Sequence, residues 1–378
     1  MAELERGELN SRLIARYRVR AEAHAIEERA RGLAVEQSVE MPVSAIRQAA
    51  ILEQIVGEVA RIEDRGDGWF NVDVALASAT VGDDAGQLLN MLFGNSSLQD
   101  DIVLADFSLP DDLVARFGGP TQGLQGLRRR ASADRRALTC AALKPQGLSA
   151  PSLSELAFEF ARGGVDFVKD DHGLADQAYS PFAERAPACA RAMRRAEEIT
   201  GRRTHYAPSL SGHFGRMQRQ IEIARAEGIS VVMIAPMIAG LSTLQALSRA
   251  NSDIAFLAHP TMSGAARISP AAYARLFRLC GADAVIFPNH GGRFGYSPAT
   301  CRALAGALRE PWGGKLASVP APAGGMTPAR VPEILDFYGR DTILLIGGAL
   351  LAAAPDRLAA ETAAFARTVA DHDFGRSE

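Results

Sequence analysis

From residue 138 onward the chain repeats one pattern eight times: a short apolar run, then a stretch of helical length rich in Ala, Leu, Arg and Glu. The runs are LTCAALKP, VDFVKDD, THYAPSLS, SVVMIAP, IAFLAHP, AVIFPNHG, LASVPAPAGG and TILLIGG. Eight βα units in about 230 residues fit a closed (β/α)8 barrel, the TIM-barrel architecture, better than any other layered fold. A doubly wound open sheet is the alternative, but no G-x-G-x-x-G follows an early strand.

The preceding region is less regular. RLIARYRVRA, ILEQIVGEVARIED and GWFNVDVALA read as strands, and AHAIEERARGLA and DDAGQLLNMLFG as helices, which predicts a small α+β domain of ferredoxin-like type. The polar segment PTQGLQGLRRRASADRR reads as the join, with Arg128, Arg129 and Arg130 on a solvated surface. The expected domains are therefore residues 1–125 (α+β) and 126–378 (barrel).

Composition narrows the class of function. A formal charge of -3 gives no basic field for nucleic acid or a membrane surface. The four cysteines show no C-x-x-C spacing, so they read as buried thiols of a reducing cytoplasm. The first thirty residues hold no apolar run of signal-peptide length, and the longest apolar run, Ile343 to Ala354, is interrupted by Gly347-Gly348 and too short to span a bilayer. A cytoplasmic location, with neither a membrane nor a nucleic-acid partner, is the expectation.

In a barrel of this kind the C-terminal ends of the strands face the active-site mouth. Here those ends carry Lys144, then Lys169, Asp171 and His172, then His259, then Asn289, His290 and Arg293, and finally the pairs Gly324-Gly325 and Gly347-Gly348. Lys169-Asp170-Asp171-His172 reads either as a solvated strand end or as a ligand cluster; alternation aims Lys169 and Asp171 to the same side. A hard divalent cation wants oxygen ligands, and a lysine supplies one only after reaction with CO2 to an anionic carbamate. His172 would add nitrogen and tilt preference toward softer metals. Lys144 stands before a proline at a strand end, where a structural lysine has little reason to be; a lysine beside a metal and partly desolvated gives up its proton more readily, as proton abstraction next to a carbonyl requires. His259 reads as a core histidine or as a site residue, and its strand-end place favours the second. The glycine pairs permit tight turns or cradle a phosphate with backbone N–H groups.

Taken together, GGVDFVKDDHG, LKPQGLS, AHPTMSGA, APAGGM and LIGGALL, in this order, resemble the RuBisCO superfamily, and more closely its RuBisCO-like proteins than true carboxylases. The resemblance covers nearly the whole chain, including Glu36 in LAVEQSVEMP and Asn95 in LFGNSS. It implies one Mg2+ per site, held by Lys169 as a CO2-derived carbamate, by Asp171 and by residue 172. It further implies a proton-transfer role for Lys144 and a phosphate held by Gly324, Gly325, Gly347 and Gly348; Lys144, Lys169 and, from its strand-end place, His259 form the expected catalytic set. It implies a homodimer in which Glu36 and Asn95 reach a neighbour's substrate.

The departures matter equally. His172 replaces the family's third ligand, a glutamate; Gln146 replaces the second lysine of its K-P-K motif, with one residue deleted. Pro260 and Ala323 stand where carboxylases carry an arginine and a serine for a second phosphate, and NHGGRFGYS replaces the flexible loop after strand six. His290 and Arg293 are the substrate-binding candidates left in that loop. Carboxylation of ribulose bisphosphate is thus not expected. The expected reaction is metal-dependent enolisation of a small phosphorylated ketose or ketone by an isomerase or enolase, as RuBisCO-like proteins perform in methionine salvage on 5-methylthioribulose 1-phosphate or its diketone descendant. Decarboxylation of a phosphorylated 3-oxo sugar acid, and a non-catalytic binding or regulatory role, are the alternatives.

Overall fold

The computed structural model describes residues 11–375; residues 1–10 and 376–378, inside the expected domain bounds, lie outside the described residues. Strand β1 (Arg12–Arg20) alternates, burying Leu13, Ala15, Tyr17 and Val19 while its arginines turn away. It pairs antiparallel with β3 (Trp69–Ala77) on one side and β4 (Ile102–Ser108) on the other, and β2 (Glu58–Asp64) adds to β3, giving the order β2-β3-β1-β4. Helix Ile26–Glu36 links β1 to β2, and helix Ala85–Phe93 lies between β3 and β4. Tyr17 is fully buried, and its hydroxyl donates to Leu92 O at 2.6 Å, tying the central strand to the second helix. This is the ferredoxin-like α+β domain.

Two details differ from the sequence reading. ILEQIVGEVARIED is not one strand: Ala49–Gln54 is helical and only Glu58–Asp64 is extended. The strand Ile102–Ser108 was not expected. It is an edge strand, and the barrel covers it: Leu104 N donates to Arg267 O and Ser269 N to Leu104 O, both at 2.9 Å.

The second sheet contains β5 (Leu138–Leu143), β6 (Phe167–Asp170), β7 (His205–Ala207), β8 (Val231–Ile234), β9 (Ala255–Ala258), β10 (Ala284–Pro288), β11 (Val319–Ala323) and β12 (Ile343–Ile346), parallel throughout in the order β7-β6-β5-β12-β11-β10-β9-β8. It closes on itself, because Leu210 N donates to Met233 O (2.8 Å) and Met233 N to Pro208 O (2.9 Å). Alternate residues serve two cores. Cys140, Ala142, Phe167, Met233, Leu257, Ile286 and Leu345 fill the interior, whereas Ala141, Leu143, Val168, Phe256, Phe287 and Leu344 pack outward under the helices.

Helix Gly123–Ala131 stops the bottom of the barrel, with Leu127 in the inner core. The expected solvated Arg128 is instead 3% exposed. It donates to Ala133 O, to Arg136 O and Arg340 O at 2.9 Å each, and to Asp341 at 2.7 Å. Arg130 is half-buried and reaches Asp253 O at 2.9 Å; of the three arginines, Arg129 alone is exposed. The plug has chain ends and loops to satisfy, and a guanidinium with its five donors does that where no water reaches. All four cysteines are free and buried. Among the described residues, no helix is long and apolar enough to cross a membrane.

Candidate active site

The inner-face parity of each strand continues one step beyond its end, and that step builds the site. On β5 the inward series Leu138, Cys140, Ala142 runs on to Lys144; on β6 Phe167 is followed by Lys169 and Asp171; on β9 Ala255 and Leu257 lead to His259; on β12 Ile343 and Leu345 lead to Gly347. Lys144, Lys169, Asp171, His259 and Gly347 line one cavity of about 940 Å³, together with His172, Arg293, Gly324, Gly325 and Gly348. Asp170, of opposite parity, turns outward and is fully buried. Tyr206 Oη (2.5 Å), Ser209 N (2.9 Å) and Arg185 Nε (3.1 Å) all donate to its carboxylate, which fixes the strand end from behind.

Asp171 is the hub. Lys144 Nζ lies 2.5 Å and His172 Nδ1 3.2 Å from the same oxygen, Oδ1. Burial alone would raise this carboxyl, but the hydrogen bonds from His172 and Lys144 outweigh it and hold the group well below the ordinary carboxylate range. Lys169 is 3% exposed, and its amine donates to Asp170 O at 2.8 Å. Burial lowers its pKa, and the cation of Lys144 adds to the effect against the pull of Asp171. The ring of His172 stacks on that of His259, with centroids 4.6 Å apart and planes 8° from parallel. Burial, then the neighbouring Lys169 and His172, push His259 down to about 2, so it is a neutral imidazole.

The glycines meet the same mouth. Gly324 and Gly325 have φ of 82° and 66°, a conformation that side chains strain to adopt, and a Cβ on Gly325 would stand 2.9 Å from Gly292 Cα. The turns after β10 and β11 thus rest on each other backbone to backbone. Gly347 precedes the short helix Gly348–Leu351, whose first amides have no intrahelical acceptor. A Cβ on Gly347 would lie 3.9 Å from Lys144 Cε.

Three expected site residues do not line this cavity, two of them, Glu36 and Asn95, being expected at a neighbour's site rather than at this one. Glu36 and Asn95 are joined by a 3.1 Å hydrogen bond on the N-terminal domain, outside this chain's own cavity, with Glu40 accepting a second bond from Asn95 at 2.9 Å. His290 turns away from the cavity and packs on Phe337 at 4.6 Å, its Nδ1 4.0 Å from Glu333. Its neighbours Gly291, Gly292, Arg293 and Phe294 do line the cavity, and Arg293 lies over the Phe294 ring. Thr261 was not expected: it also lines the cavity, with Oγ1 2.6 Å from His259 Nδ1. A small hydroxyl residue two positions after a strand-end histidine is the signal that could have found it. Asp170 could have been found from parity, since the second aspartate of a KDD strand end cannot face the same way as the first.

A closed (β/α)8 barrel carrying a ferredoxin-like domain, with two lysines, an aspartate and two histidines gathered at the C-terminal ends of its strands, defines a barrel protein with its site where such folds do chemistry. The family model of the ribulose bisphosphate carboxylase large chain, catalytic domain, matches residues 123–369. The chain belongs to the RuBisCO superfamily, among its RuBisCO-like, non-carboxylase members. It is 58% identical over 365 residues to 5-methylthioribulose-1-phosphate isomerase of Rhodospirillum rubrum, covering 96% of this chain and 97% of the relative. A 2,3-diketo-5-methylthiopentyl-1-phosphate enolase of Geobacillus kaustophilus is 32% identical over 318 residues, 78% of this chain and 76% of the enolase. The crystal structure of a Rubisco-like protein from Rhodopseudomonas palustris superposes with a TM-score of 0.90 at 49% identity, covering 98% of this chain and all of that one (100%).

Proposed function

We propose that this protein enolises a phosphorylated ketose by proton transfer next to its carbonyl, with 5-methylthioribulose 1-phosphate as the substrate to try first. The observation that carries the reading is the meeting of Lys144, Lys169 and Asp171 in one cavity, with Lys144 Nζ 2.5 Å from Asp171. The names and coverage of the Rhodospirillum isomerase and the Geobacillus enolase support the substrate class.

The residues suit a divalent cation with a lysine carbamate. Among the described residues no three His, Cys, Asp or Glu side chains cluster as a metal site, so Asp171 and His172 need a third ligand from another source. Lys169 is that source: its amine is buried, bonded to one backbone carbonyl and depressed in basicity, the state in which an amine adds to CO2. His172 Nδ1 and Asp171 Oδ1 lie 3.2 Å apart, near enough for one ion to engage both in place of their hydrogen bond. Lys169, Asp171 and His172 would hold the ion, and when bound it supplies the positive charge that polarises a ketone oxygen.

The chain's own groups do the rest. Lys144 lines the cavity beside Asp171, and its Nζ would take the proton from the substrate carbon when it is not held by Asp171 Oδ1. Gly324, Gly325 and the first amides of Gly348–Leu351 offer backbone donors to one phosphate. The apolar wall of Pro260, Met262, Ile286 and Ala323 suits a methylthio end better than a second phosphate. Glu36 and Asn95, exposed as a bonded pair on the N-terminal domain, are suited to completing the cavity of a second copy in a homodimer. The test is exchange of substrate carbon-bound hydrogen with deuterated solvent, followed by NMR with Mg2+ and bicarbonate present. Lys144→Met should abolish exchange; no exchange by the wild-type protein on any phosphoketose or phosphodiketone tried would overturn the reading.

A further inference from the structure

We propose that Thr261 is a positioning residue that decides which nitrogen of His259 carries the proton, and so makes His259 a hydrogen-bond donor to the substrate rather than an acceptor. The proposal rests on the enolisation reading for its chemical meaning, though not for its geometry.

His259 is the first residue beyond β9 and faces the cavity. Pro260 follows and turns the chain, and the turn brings Thr261 back onto its neighbour's ring: Thr261 Oγ1 lies 2.6 Å from His259 Nδ1, and Thr261 N donates to the same nitrogen at 3.3 Å. A backbone N–H can only donate. Nδ1 must therefore present its lone pair, the hydroxyl can then only donate to it as well, and the proton of the neutral ring sits on Nε2. His172 covers one face of the ring and Thr261 engages Nδ1, so the nitrogen left for a group in the cavity is Nε2–H.

The two tautomers have opposite effects on an enolising substrate. Nε2–H aims a donor at an oxygen that gains negative charge as the proton leaves carbon. With the proton on Nδ1, the same edge would offer a lone pair to that oxygen and repel it. Thr261 selects the first arrangement without touching the substrate through its hydroxyl, and the base remains Lys144.

The protein can be labelled with 15N-imidazole histidine, and the signal of His259 among the seven histidines identified by its loss in His259→Gln. The wild-type ring should show an unprotonated Nδ1 and a protonated Nε2 before any substrate is added. Thr261→Val keeps the shape and the backbone N–H but removes the hydroxyl, so the other tautomer should gain population. Loss of one hydrogen bond of ordinary strength should lower kcat for deuterium exchange by about 3- to 10-fold, mostly without change in KM. Thr261→Ser should restore both the spectrum and kcat. A wild-type His259 protonated on Nδ1, or a Thr261→Val protein with unaltered kcat, overturns the proposal. A wild-type protein without exchange activity overturns the enolisation reading instead, and the tautomer spectrum still decides what Thr261 does.

Discussion

The imidazole of His172, just past the end of β6, lies flat on that of His259 at the end of β9, 4.6 Å away across the mouth of the barrel. The stack forms one wall of the cavity, and no residue from the ends of β7 or β8 lines it. His172 also stands at the position where a third metal ligand is expected, so its nitrogen should shape metal choice. Nickel or cobalt should bind more tightly than magnesium, and His172→Glu should strengthen magnesium binding while weakening the softer ions. Calorimetric titration in bicarbonate buffer measures this; an unchanged metal ranking in His172→Glu would remove His172 from the ligand set.

Activation should require CO2 and should accelerate with pH. The neutral amine of Lys169, not its ammonium, adds to CO2, and burial holds its pKa below that of a free lysine. The fraction of reactive amine therefore rises as pH climbs toward that lowered pKa, and activation should begin at lower pH than for a solvent lysine. The measurement is the activation rate against pH at fixed dissolved CO2, with 13C NMR of the carbamate carbon; Lys169→Ala should lose both signal and activity. Full activity in CO2-free buffer with a chelator would sink the carbamate.

Asn95 should act on a neighbour's substrate. Asn95→Ala and Lys169→Ala subunits, each inactive alone, should recover activity when combined, because each verified heterodimer would contain one site with both residues intact. No recovery would confine Glu36 and Asn95 to their own N-terminal domain.

Arg128 should matter for stability and Arg129 should not. Arg128→Ala leaves the carbonyls of Ala133, Arg136 and Arg340 without their donor and should cost about 3 kcal/mol, whereas exposed Arg129→Ala should stay within about 0.5 kcal/mol. Denaturant midpoints of the two variants check this.

A second phosphate should gain nothing. Pro260 and Ala323 line the cavity with neither charge nor hydroxyl, so a ketose 1,5-bisphosphate should inhibit no more tightly than the matched 1-phosphate. Markedly tighter inhibition by the bisphosphate would make Arg293, which already faces the cavity, the group to replace first.

The barrel was legible because its strands are buried on both faces and read as apolar runs bounded by Gly and Pro, and all eight lie where those runs predict. The N-terminal domain was less so. Ile51, Leu52 and Ile55 fit a helical face and a strand about equally, so ILEQIVGEVARIED hid a boundary. Lys144, Lys169, Asp171, His172 and His259 could be gathered from parity and strand ends alone. The His172–His259 stack and the inward Arg128 could not, since each depends on groups distant in sequence that only the closed barrel brings near. His290 and Arg293 are close in one loop, yet only Arg293 reaches the cavity; the choice falls to Phe337, against which His290 packs.

The even spacing that carries Lys144, Lys169, His259 and Gly347 to the same interior has a consequence for how such a chain can diverge. Substituting one residue at the mouth changes one group. Inserting or deleting one residue within β6 would exchange its two faces, sending Lys169 toward the helices and drawing Asp170 inward without Tyr206 and Arg185. New chemistry in this scaffold is therefore reached by exchanging side chains and lengthening the turns beyond the strands, while the lengths of the strands that carry these groups are held almost as strictly as a reading frame.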